Sequence, residues 1–126
     1  KNIVLNKTVS STPIEDYINT KTHKDCIIAS QTMNIYKFKR KVMQINPLSL
    51  KSIYLTDSPD KIISMLINLN VSYVHFTPYP GYIPGLTKKL DKLSINLNGI
   101  KKLPQLELIL RIDLGNNKYE ELYKIH

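Results

Sequence analysis

"DSPDKIISMLINLNVSYVHF", residues 57–76, decides the fold class, because it joins a helix directly to a strand. Ser58 is a cap residue type, Pro59 suits the first helical position, and Asp60 favours the positive helix end. Ile62, Leu66 and Leu69 recur at helical spacing, joined by Ile63 and Met65. Asn70 stands where a helix C-terminus favours Asn. "VSYVHF", 71–76, is then an apolar strand with β-branched and aromatic residues.

The same grammar extends both ways. Upstream, Thr12, Pro13 and Glu15 read as a capping box opening a helix that carries Ile14, Tyr17 and Ile18 on one face and ends near His23. "CIIAS", 26–30, is apolar in both alternating registers, as in an interior parallel strand. "QTMNIYKFKR" reads as a short helix or turn, and "KVMQI", 41–45, as a second strand ended by Asn46-Pro47. Residues 48–56 fit strand or irregular chain equally. Downstream, "GLTKKLDKLS" reads as a short helix. Leu106, Leu108, Leu110, Ile112 and Leu114 alternate with Glu107, Ile109, Arg111 and Asp113. Tyr119, Glu121, Tyr123 and Ile125 alternate on the return, giving a hairpin with a loop of three or four residues. The expected fold is α/β: a Rossmann-like open sheet of about three parallel strands, with flanking helices and a C-terminal antiparallel β-hairpin.

Bulk properties bound the function. The chain's 126 residues suit one domain, 1–126, and nothing divides it. No apolar run approaches the roughly 20 residues that cross a bilayer as a helix. Cys26 makes no internal disulfide and reads as a small buried hydrophobe. With 18 basic and 10 acidic residues the net charge is +8, a balance that can attract nucleic acid, anionic lipid or phosphate-bearing ligands or simply keep a protein soluble. Only Arg40 and Arg111 are arginine, which disfavours base reading in DNA.

Several chemistries lack their motif. "ASQTMN" after the first strand has no glycine, so a dinucleotide cofactor is not expected. His23, His75 and His126 fall in no metal-ligand spacing, and His75 reads as a satisfied strand histidine. No serine elbow or Cys-His signature appears. Neither a cofactor nor a metal is therefore expected, and no catalytic residue is assigned.

Two segments remain as candidate contact sites. "YKFKRK", 36–41, places Tyr36, Lys37, Lys39 and Arg40 together, fit for phosphate, lipid headgroups or single-stranded nucleic acid, or simply for a solvated helix end. "TPYPGYIPG", 77–85, follows the third strand, where open α/β sheets bind ligands. Tyr79 and Tyr82 there offer rings to a sugar or a membrane interface, or cover the sheet edge as packing.

The order of "EDYI", "KDCIIAS", Tyr36 followed by Arg40-Lys41-Val42, "DKIISMLINLNVSYV" and "KYEELYKI" resembles the C-terminal soluble domain of multi-spanning membrane glycosyltransferases of the GT-C type, relatives of the dolichyl-phosphate-mannose protein mannosyltransferases. The resemblance covers about residues 12–125. It implies a non-catalytic domain on the extracytoplasmic face that assists acceptor or lipid-linked donor binding. Its implied partners are its own transmembrane region and anionic lipid or polyprenyl-phosphate sugar. The family's catalytic acid lies in a membrane loop outside this chain, so no catalytic role transfers. Residues 1–11 would be the lead-in from the last membrane helix, and the chain a piece of a longer protein. The alternatives are a small basic nucleic-acid-binding domain and a stand-alone α/β enzyme.

Overall fold

The computed structural model describes residues 12–32, 35–45, 58–78 and 95–126. The lead-in 1–11, the ambiguous 48–56, Tyr79 and Tyr82 with the rest of their loop, and the helix expected in 85–94 lie outside the described residues. The chain is α/β, with a five-stranded mixed sheet and flanking helices.

Helix α1, Pro13–Lys21, begins as its cap dictates. Thr12 Oγ1 accepts from the Glu15 N–H at 3.2 Å, and the Glu15 carboxylate reaches back to the Thr12 N–H at 3.4 Å. Ile14 and Ile18 are fully buried. Helix α2, Pro59–Asn68, starts after Ser58, but the serine side chain makes no cap bond, so Pro59 and Asp60 define that end. Ile62, Ile63 and Leu66 are its buried stripe, each worth about 1.5–3 kcal/mol of burial. Asn70 then turns the chain at φ 62° into the next strand, a conformation that Asn tolerates better than most residues.

The strands are β1 Ile27–Ser30, β2 Lys41–Gln44, β3 Val71–Phe76, β4 Leu106–Gly115 and β5 Lys118–Ile125. Their order across the sheet is β2-β1-β3-β5-β4. β1 pairs in parallel with β2 on one side and β3 on the other. β5 runs antiparallel to both β3 and β4. Between β1 and β2 the chain makes a 3₁₀ turn at Ile35–Lys37, and a second 3₁₀ turn, Ile100–Lys102, precedes β4.

The hairpin differs from its sequence reading in two ways. Its loop is only Asn116-Asn117, at φ 55° and 61°, the pair of left-handed residues that a tight two-residue turn requires. A bulge also lies between Leu108 and Leu110, so the simple alternation of leucines fails. Before the bulge Leu106 faces the Tyr123 side of the sheet; after it, Leu110 and Ile112 face the Leu122 side. One extra residue reverses the phase because side chains alternate with period two.

Each sheet face therefore owns a core. One gathers Ala29, Val74, Phe76 and Tyr123 under Ile62, Leu66 and Ile100. The other gathers Ile28, Tyr73 and Leu122 under Ile14, Ile18 and Phe38, with Cys26 buried among them. Burial, with Tyr17 beside it, pushes the Tyr73 phenol up to about 12.

Candidate functional site

Polar residues interrupt the apolar strands at one level of the sheet. Ser30 ends β1, His75 is its direct neighbour on β3, and Glu120 lies on β5. Ser30 Oγ and His75 Nδ1 are 2.7 Å apart, and His75 Nε2 and Glu120 Oε2 are 2.5 Å apart. The Thr32 N–H donates to Ser30 Oγ at 3.0 Å. With that lone pair taken, the pattern that uses every proton has the serine hydroxyl donating to Nδ1 and Nε2–H donating to Glu120. Phe38 meets the His75 ring edge-on at 5.3 Å. The hydrogen bond from His75 holds the Glu120 carboxyl below its ordinary pKa against the opposing effect of burial, with the nearby charge of Lys37 assisting.

A Ser-His-Glu line has the composition of an acyl-transfer triad. Here Ser30 and His75 are wholly buried, and Oγ is engaged on both sides. The line acts as a lock across β1, β3 and β5. The histidine is the satisfied strand histidine expected from the sequence; its two partners were not expected. The signal was present in Ser30 and Glu120, polar residues within strands that are buried on both faces. Which three would meet depended on sheet order.

The basic segment 36–41 divides. Tyr36 is 91 % exposed. Lys39 is exposed, and its backbone N–H donates to Asn19 Oδ1 at 2.6 Å. Arg40 turns inward instead. Its guanidinium donates to Thr22 Oγ1, to the carbonyls of Asn19 and Thr22, and to the Lys39 carbonyl, at 2.8–3.2 Å. It thereby holds the orphan carbonyls at the end of α1. Lys37 lies over the Phe38 ring, 4.0 Å from the Glu15 carboxylate.

On the opposite face Glu121 is the centre. Lys101 Nζ donates to its Oε1 at 2.5 Å, and Arg111 Nε donates to Oε2 at 2.8 Å, with Nη2 also 2.8 Å from that oxygen. Burial raises the Glu121 carboxyl pKa, yet the bonds from Lys101 and Arg111 together hold it below its ordinary value. Beside this group lies a cleft of about 240 Å³ at the carboxyl end of β3, lined among others by Gln31, Thr77, Lys101, Asn117, Lys118 and Tyr119. Gln31 ties its floor together: its Oε1 accepts from the Thr77 N–H at 2.8 Å, and its own N–H donates to the His75 carbonyl. The cleft lies at the carboxyl end of β3, where Thr77 and Pro78 begin the segment that follows that strand. Among the described residues no group of three or more His, Cys, Asp or Glu lies together to hold a metal, and no helix is long and apolar enough to cross a membrane.

No family model and no curated protein matches the chain. Among solved structures, it is similar to the C-terminal globular domain of an oligosaccharyltransferase from Archaeoglobus fulgidus. The TM-score is 0.53 at 11 % identity, over 94 % of this chain and all of that one. At that identity the likeness is one of fold.

Proposed function

We propose that this chain is a non-catalytic globular domain of a multi-spanning membrane glycosyltransferase of the GT-C type. It stands on the extracytoplasmic face and assists binding of the acceptor or the lipid-linked sugar donor. The observation that carries this reading is the fold likeness to an oligosaccharyltransferase domain, which spans nearly the whole chain. The parallel unit β2-β1-β3 with its helices is the Rossmann-like half, and the hairpin extends it.

In this reading the segment 36–41 meets the membrane surface. Tyr36 supplies an exposed ring for the interface and Lys39 a charge for anionic headgroups, while Arg40 fixes the turn that presents them. Sedimentation with vesicles tests this contact. Binding to phosphatidylglycerol-containing vesicles at low salt, absence of binding to neutral vesicles, and weakening as salt rises are expected. Tyr36→Ala with Lys39→Ala should reduce binding by about tenfold, since each basic residue near such a surface is worth about 1 kcal/mol and the ring adds to it. Equal pelleting with neutral and anionic vesicles, or of the variant and the parent, would remove the membrane contact.

A further inference from the structure

The cleft beside Glu121 has a chemistry of its own. It is rich in donors. An ammonium has three N–H donors, and Lys101 uses one on Glu121, which leaves donors for the cleft that it lines. Lys118 is exposed at the end of the hairpin turn and lines the same space. Asn117, in the left-handed turn conformation, adds a side-chain amide. The carboxylate present does not offset this. Glu121 is 5 % exposed, and its two oxygens are occupied by Lys101 and Arg111. Among the residues that line the cleft, Lys101 and Lys118 against Glu121 leave a surplus of one positive charge, and Arg111 reaches Glu121 from outside the lining.

Lysine 101 is held rigidly. Its Nζ sits 4.4 Å from the Phe76 ring centroid and 5.9 Å from that of Tyr123, besides the Glu121 bond. A cation fixed in this way need not be ordered when a ligand arrives, which lowers the entropic cost of binding. An apolar ligand would find few partners among these polar walls, and a metal ion would meet cations. The volume, about 240 Å³, corresponds to roughly eight waters and lies below the roughly 300–1,000 Å³ of sites for drug-sized molecules.

We propose that this cleft is an oxyanion-binding site for a small hydroxylated molecule of one ring, held through its phosphate or carboxylate group by Lys101, Lys118 and Asn117. The cleft's chemistry does not depend on whether the chain serves a transferase, and its test uses neither membranes nor acceptor.

The test is a ¹H-¹⁵N titration of the 126-residue chain with inorganic phosphate, glucose 1-phosphate, glucuronate and neutral glucose. Saturable shifts at Lys101, Asn117, Lys118 and Tyr119 with the anions, and none with glucose, are expected. A tighter response to glucose 1-phosphate assigns a phosphate ligand, and a tighter response to glucuronate a carboxylate; either supports the site. Lys118→Ala should weaken the anion response by about tenfold, the scale of a hydrogen bond to a charged group. Lys118 is solvent-exposed, so this variant leaves the Glu121 ion pairs and the fold in place. The proposal is overturned if no anion shifts these amides, if shifts scatter over the lysine-rich surface, if glucose acts equally, or if Lys118→Ala responds like the parent.

Discussion

At the scale of the residue, His75 and Arg40 show how placement changes the meaning of a side chain. His75→Ala would strand Ser30 Oγ and the Glu120 carboxylate inside the sheet. A cost of about 3 kcal/mol or more is expected from two unsatisfied buried groups, read as a lower urea midpoint. A loss below 1 kcal/mol would contradict the lock. Glu120 also makes stability depend on pH. Its folded pKa is below its unfolded one, so its stabilisation is complete above the ordinary glutamate value and is lost as pH falls through the folded value. Unfolding free energy should therefore fall as pH drops below the ordinary glutamate value, and Glu120→Gln should flatten that slope. An unchanged slope in the variant would count against the assignment. Arg40→Ala should cost about 1.5–3 kcal/mol, because its guanidinium holds the end of α1. Arg40→Lys should not restore this, since an ammonium lacks the planar fork that spans these acceptors. An arginine serving only as a free surface contact would leave the midpoint unmoved.

At the scale of the element, helices α1 and α2 make a paired test. Thr12→Ala removes a formed capping box and should cost about 1 kcal/mol, whereas Ser58→Ala removes no cap bond and should cost a few tenths at most. Comparable losses in chemical denaturation would show that Ser58 caps in solution. Gly99 marks where the residues before β4 approach α2. A Cβ there would lie 2.6 Å from Pro59 Cγ, and a proline ring has little freedom to yield, so Gly99→Ala should destabilise. Elements with strong local chemistry were legible in the sequence. Thr12-Pro13 and Glu15 set the start of α1, the spacing of Ile62 and Leu66 set α2, and Asn70 with the run to Phe76 set β3. The hairpin was legible as a hairpin, but its bulge was not. Leu108, Ile109 and Leu110 read equally well in either phase, and pairing with Tyr123 and Leu122 decides between them. The cleft escaped the sequence for a similar reason. Lys101 belongs to the 3₁₀ turn before β4 and Asn117 and Lys118 to the hairpin turn, and strand order brings the two turns together at the end of β3.

At the scale of the whole molecule, the chain carries a net charge of +8. Arg40 and Arg111, the two arginines, both serve internal contacts, one at the end of α1 and one on Glu121, so the surface charge is carried by lysine. Lysines suit diffuse attraction to anionic surfaces better than the bidentate reading of bases. The central claim, that this fold works as one domain of a membrane glycosyltransferase, is tested most directly by determining the reading frame upstream of the Lys1 codon. The account predicts several hydrophobic segments of about 20 residues, with an acidic residue soon after the first. A start codon immediately before Lys1, with no coding sequence upstream, would contradict it.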